Sequence, residues 1–267
     1  ICILNIYFYK FNKKNFDYNN FQIYFLVFAC FILFVDIAFN LHLSWDAEKF
    51  WFDKTLNFYH NNSLEQLKNL GNSHYPHLGS LIWSFFWKVS PIEHEYSGRL
   101  FVVFLYLTSI FLLTDLLKTS LINKLIILIF FIFLTYDYYI VFSGNNEIFI
   151  FSLICIVMNF FYRLLNSNKK NKNFYIILIL LSCNLLIWFK QEGLIYSGII
   201  VLTLLLFFDL EIKKKFVILG IYLALLLIRL LVFKYYNFDL FLTLTHNFSI
   251  VDIINNISLI KIFLISK

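Results

Sequence analysis

The chain has 267 residues, 61% of them hydrophobic and 14% charged, with a formal net charge of +6 and a mean hydropathy of +0.76. A soluble domain of this length needs more charge, and the apolar residues fall in long blocks bounded by short polar clusters. The composition therefore excludes a water-soluble globular protein and gives an all-α, polytopic integral membrane protein. A membrane β-barrel would alternate apolar and polar residues in segments of about ten, and no such alternation is present.

Taken in chain order, about seven spans can be marked: Phe21–Leu41, Leu100–Leu117, Leu121–Phe142, Ile148–Leu165, Phe174–Phe189, Leu194–Phe208 and Phe216–Phe233. Ile1–Phe11 reads as the tail of a further span or as a surface helix. Because the sequence opens on Ile1 and stops at Lys267 inside an amphipathic run, it is expected to be a fragment, with residues 1–267 forming one transmembrane domain. The 35 phenylalanines accompany an excess of Ile, Leu, Asn, Lys and Tyr. That bias is what AT-rich coding produces, so it marks no cofactor site. Cys2, Cys30, Cys155 and Cys183 are scattered and read as small hydrophobes rather than disulfide or metal partners.

The loops alternate in basic character. Lys10, Lys13 and Lys14, then Lys118 and Lys124, then Lys169, Lys170 and Lys172, then Lys213, Lys214 and Lys215 all fall on one side if the spans alternate. The positive-inside rule makes that side cytoplasmic and sends the first span outward. This accounts for the net charge without a nucleic-acid partner. The outer side holds a long loop, about residues 42–98, and short turns near Ser143–Glu147 and Lys190–Glu192. Within the long loop, Ala47–Tyr59 spaces aromatics at helical intervals, as an interfacial helix would. Tyr75–Trp87 (YPHLGSLIWSFFW) is strongly aromatic and is expected to dip into the interface.

The outer segments carry the residues that could do chemistry. Asp46 follows the first span in S-W-D-A-E-K, beside the interfacial anchor Trp45, and Glu48 completes an acidic D-x-E pair. Such a pair can supply a general base, share a divalent cation (Mg or Mn), or merely cap a helix. Glu147, in G-N-N-E, opens the fourth span where the helix dipole favours a carboxylate, with Asp137 near the same turn. Lys190 and Glu192, in W-F-K-Q-E-G, lie at headgroup depth and read equally as a snorkelling pair. Lys88, Arg99, Arg229 and Lys234 form an outer group of cations. Arg229 interrupts an apolar run, a placement that costs about 2.5–3.5 kcal/mol and calls for a partner or a function, with Asp36 a candidate partner. His74 and His77 flank Tyr75-Pro76. There is no P-loop, dinucleotide glycine fingerprint, HExxH or G-x-S-x-G elbow.

A first span leading outward into an acidic pair, an aromatic interfacial helix, Y-P-H-L-G-S-L-I-W, and a second acid between spans three and four together resemble the GT-C superfamily. Its members are glycosyltransferases that use polyprenyl-phosphate sugars, and the pattern is nearest the protein O-mannosyltransferase and aminoarabinose-transferase group. The resemblance covers about residues 21–233 and rests on short motifs. It implies Asp46 as general base on the acceptor hydroxyl, Glu48 as the second acid of the motif, and Tyr75, Pro76 and His77 lining the donor cleft. It also implies Glu147 as a secondary acid that could join Asp46 on a divalent cation. Lys190, Glu192, Arg229 and Arg99 would serve the donor. The partners implied are a polyprenyl-phosphate-linked sugar, membrane lipid, and an acceptor glycan, lipid or protein, in an inner or plasma membrane with the site facing the periplasm or exterior. The family usually has more spans and often a soluble external domain, a departure here. A transporter or flippase subunit would use Asp36 and Arg229 as a substrate path, and an envelope-complex subunit would use the charges as anchors.

Overall fold

The computed structural model describes residues 20–70, 73–114, 116, 120–136, 142–167 and 169–238, and all regular structure among them is helical. After α1 (Asn20–Phe39) comes a π-helical turn (Ala47–Phe52) that runs unbroken into α2 (Asp53–Tyr59). A 3-10 segment (Leu64–Asn69) and α3 (Leu78–Val89) complete the long connection. Then follow α4 (Tyr96–Thr114), α5 (Leu121–Tyr136), α6 (Glu147–Asn166), α7 (Lys169–Phe189), α8 (Glu192–Phe207) and α9 (Ile212–Tyr235).

Helices stand at all seven expected spans, but they differ in reach. Tyr96–Thr114, Glu147–Asn166, Asn171–Phe189 and Ile212–Tyr235 are long and apolar enough to cross a membrane. The apolar stretches Ile23–Phe39, Ile122–Phe131 and Glu192–Phe207 are shorter. The architecture is that of an all-helical membrane protein with four candidate spans among the described residues.

α4 is the hub. It packs against α1, α3, α5 and α6, and 61% of its apolar window is buried. From α6 the chain folds back on itself serially, α6 on α7, α7 on α8, and α9 against both α7 and α8. α1 shows why so apolar a protein needs lipid. Ala29, Leu33 and Ile37 recur every fourth residue and bury one stripe, while Val27, Phe28, Phe31 and Ile32 lie exposed on the rest of the helix. α9 is more extreme, with only 22% of its window buried and Phe216, Leu223, Leu227, Leu230 and Leu231 exposed. Helices apolar on all sides and only striped with protein contacts are solvated by hydrocarbon, not water.

One end of this bundle holds the connections that matter. The Ser44 N–H donates to the Ser143 carbonyl at 3.0 Å. Arg99 donates to the Phe142 carbonyl at 3.1 Å and the His42 carbonyl at 3.4 Å. Gln191 donates to the His74 carbonyl at 3.3 Å. The end of α1, the start of α4, the start of α6 and the α7–α8 turn therefore meet at one cap. The helices of the long connection pack more closely than an interfacial helix need do. Ala47–Phe52 and α2 bury Trp51, Lys54, Thr55 and Phe58 rather than simply resting on a membrane surface. The Trp51 carbonyl accepts from both Thr55 Oγ1 and Ser80 Oγ at 2.9 Å, pinning this segment to α3. Trp45, beside that segment, is 65% exposed.

Candidate functional site

Asp46 sits at the N-cap of the π-helical turn, half-buried, with helical backbone angles. π-Helical turns are uncommon and recur at functional sites because they displace side chains from ordinary helical register. Ser44 anchors its flank by a hydroxyl bond to Asn145 Oδ1. The facing turn is made possible by Gly144, whose φ of +92° disfavours other residues. A Cβ there would also meet the Trp83 ring at 2.6 Å and the Ala47 methyl at 2.9 Å. The segment carrying Asp46 and the turn leading to Glu147 are thus locked together across a hundred residues of sequence.

The α7–α8 turn supplies the third side. Gly193 lets α8 start directly against α7, since a Cβ there would meet the Leu186 carbonyl oxygen at 1.9 Å. This tight reversal puts Lys190 within ion-pair contact of Glu147 and 3.6 Å from Glu192. Burial works against the Lys190 charge, but the hydrogen bond and charge of Glu147, with Glu192 and Asp46, outweigh it and hold its pKa above the usual lysine value. Tyr75 lies in the same field. Burial raises its phenol first, Glu192, Asp46 and Glu147 raise it further, and Lys190 opposes them. Five residues from four separate segments therefore form an acidic group: Asp46, Tyr75, Glu147, Lys190 and Glu192.

Glu48 does not join it. Residues two apart on a helix point to different sides, and Glu48 is exposed. The D-x-E spacing thus separates the two carboxylates instead of pairing them.

Pro76 turns the chain from this acidic group to a basic one. The Tyr75 carbonyl, on one side of the proline, accepts from Lys54 Nζ at 2.8 Å. His77, on the other, stands at the N-cap position of α3 without a side-chain capping bond, its ring centroid 5.8 Å from that of Trp188, 5.9 Å from Phe238 and 6.2 Å from Phe58. Arg229 donates to the Ile187 carbonyl at 2.6 Å and lies over the Phe233 ring at 5.1 Å. Lys54 is 1% exposed, His77 7% and Arg229 7%. Burial lowers Lys54 to about 7. Burial, and then the charges of Lys54 and Arg229, lower His77 to about 4. His77 thus feels both cations in a medium that screens poorly.

Lys54 escaped the sequence reading, which singled out only the aromatic spacing of Ala47–Tyr59. The signal was its register. It stands three residues after Trp51 and four before Phe58, on the buried aromatic stripe itself. Arg99 stands apart from both groups. Its fork is engaged by Glu95, at 3.0 and 3.1 Å, besides the two carbonyls of the cap. Asp36 bonds Asn40 at 3.0 Å and is no partner of Arg229. Asp137 lies outside the described residues.

A divalent cation held by Asp46 and Glu147 fits these residues poorly. The Lys190 ammonium already occupies the Glu147 carboxylate, and the described residues contain no group of three His, Cys, Asp or Glu that could ligate a metal. The chain matches no protein-family model, no curated protein and no solved structure.

Proposed function

We propose that the chain is a seven-span membrane glycosyltransferase of GT-C type. It moves a sugar from a polyprenyl-phosphate donor to an acceptor hydroxyl at the outer face of the membrane. The observation that carries this reading is the gathering of Asp46, Tyr75, Glu147, Lys190 and Glu192 at the capped end of the bundle. In the seven-span topology Lys124, Lys172 and Lys213–Lys215 belong to the opposite, cytoplasmic end. The short helices α1, α5 and α8 complete the seven by tilting less or by locally thinning the bilayer.

In this mechanism Asp46 accepts the proton of the acceptor hydroxyl as its oxygen attacks the anomeric carbon. The new carbon–oxygen bond forms while the bond to the phosphate oxygen breaks, so the lipid phosphate departs with the electron pair and the anomeric centre inverts. Half-burial beside Tyr75 keeps the base partly desolvated. Lys190 pairs with both Glu147 and Glu192, so the carboxylates gathered at the cap share one counter-charge. The step is derived without a metal.

Two measurements test it. Transfer of labelled sugar from a polyprenyl-phosphate donor by the purified chain should require Asp46 in its ionisable form. Impermeant thiol reagents should label cysteines placed at the exposed positions 68 and 69 from outside and at 171–172 only after permeabilisation. Labelling of 171–172 from outside would reverse the orientation and remove the site from the outer face.

A further inference from the structure

Three basic side chains on three elements converge behind the Tyr75–Pro76–His77 turn, each more than nine-tenths buried: Lys54 of α2, His77 at the start of α3 and Arg229 of α9. Burying a cation such as the Arg229 guanidinium is unfavourable unless opposite charge compensates it. Among the described residues, no carboxylate lies within ion-pair distance of His77 or Arg229, and the His77 ring makes no hydrogen bond. Arg229 gives one of its N–H groups to a carbonyl, and the remaining donors of a guanidinium, five N–H in all, find no acceptor among those residues. Carboxylates are close at hand in the acidic group, yet they pair with Lys190 instead.

The surroundings narrow the anion. Trp188, Phe58, Phe233 and Phe238 wall the basic residues, and α9 beside them presents Leu227, Leu230 and Leu231 outward on its lipid side. A hydrated inorganic anion gains nothing from such walls, whereas an alkyl phosphate matches both halves. We infer that Lys54, His77 and Arg229 form a site for the phosphate group of an amphiphilic phosphate, whose first alkyl units lie against Trp188, Phe233 and Phe238. The inference deepens the preceding proposal, on which the choice of a lipid phosphate rests. It moves the donor's phosphate from Lys190 to Lys54, leaving Arg229 as the cation common to both assignments. His77, neutral at physiological pH, donates one ring N–H and sets the depth of the phosphate against the Trp188 indole.

The test is binding without turnover. The full chain in detergent micelles is titrated with farnesyl phosphate, farnesol and inorganic phosphate, by calorimetry at pH 7. Farnesyl phosphate should bind, farnesol should bind at least about tenfold more weakly, and Lys54→Met and Arg229→Gln should each weaken farnesyl phosphate about 10- to 100-fold. Both variants are accepted only with an unchanged helical circular-dichroism spectrum and monodisperse elution. His77→Asn supplies a third variant should either fail to fold, with a loss of about tenfold expected. Lys68→Gln, which removes an exposed partner of Glu65, controls for bulk charge and should leave affinity unchanged. Unchanged affinity in folded Lys54→Met and Arg229→Gln would overturn the site. Inorganic phosphate binding as tightly as farnesyl phosphate would overturn the lipid assignment. Since no sugar is transferred in this assay, its failure is distinct from failure of the glycosyltransferase reading.

Discussion

The two charged groups on either side of Pro76 share a turn but not an electrostatic regime. In the acidic group, Glu147 and Glu192 are half-exposed, at 50% and 52% side-chain exposure, and Lys190 answers both. Water and a counter-charge make that arrangement inexpensive. In the basic group, Lys54 and Arg229 are almost wholly buried and are paired through a backbone carbonyl and an aromatic face. The contrast teaches that exposure, not charge alone, decides whether a charged group is compensated by water or needs a partner. Around the buried group little solvent would compete with an anion, whereas the exposed group is already compensated by Lys190 and water.

The largest expected effect belongs to the acidic side. Asp46→Asn keeps size and hydrogen-bonding capacity but cannot accept a proton. Sugar transfer should fall about 10²–10⁴-fold while farnesyl phosphate still binds. If Asp46 were only a helix cap, asparagine would serve nearly as well, and wild-type turnover would sink the mechanism. Arg229→Gln should show the converse, losing donor binding first. Equal loss of both properties in both variants would erase the distinction between the groups.

The next effect is on pH. Burial lowers Lys54 to about 7, so the free site carries its ammonium below that pH and loses it above. An anion favours the charged form, so above pH 7 binding must take up a proton. Farnesyl phosphate is already a dianion above pH 7, its second ionisation lying at about pH 6, so its affinity should fall by up to about tenfold per unit above pH 7 as Lys54 loses its proton. The groups facing Lys54 and His77 are Tyr75 by its carbonyl, Arg229 of α9 and the uncharged Trp188 of α7, and none of these titrates in that window. Calorimetry between pH 7 and 9, in two buffers of different ionisation enthalpy, reads the proton directly. Affinity that rises with pH would contradict the assignment of Lys54.

Smaller effects sharpen the acidic side. Lys190→Gln removes two half-exposed ion pairs, so the stability cost should stay under about 1 kcal/mol. Turnover should fall less than in Asp46→Asn, because Lys190 acts on the carboxylates and not on the substrate. Thermal unfolding and transfer assays on the same preparation separate the two. Chelation by EDTA should change turnover by less than about twofold, since the Lys190 ammonium stands where a divalent cation would be needed. A large loss restored by Mg²⁺ or Mn²⁺ would return the cation to Asp46 and Glu147.

Much of this protein was legible before any coordinates. The helices α4, α6, α7 and α9 follow from contiguous apolar blocks, because hydrocarbon solvation is a property of each segment alone. Asp46, Glu147, Lys190 and Arg229 could be picked out because each interrupts or ends such a block, and Tyr75 and His77 through the Y-P-H-L-G-S-L-I-W resemblance. Their grouping could not. Asp46 and Glu48 look paired along the chain, yet helical geometry turns Glu48 away. Lys190 and Arg229 look like two cations for one phosphate. Only the reversal at Gly193 shows that Lys190 belongs to Glu147 and Glu192.

What the sequence by itself determined was the class of protein and the places where polar chemistry interrupts the apolar chain, since both depend on near neighbours. The tertiary structure alone decided which charges meet and which are desolvated. Ser44 meets Asn145 across 101 positions, and Gln191 meets the His74 backbone across 117. Lys54 is an unremarkable lysine in an aromatic segment until α3 and the Tyr75 carbonyl close over it. Burial is set by every element that packs on a residue, and no local pattern encodes that number.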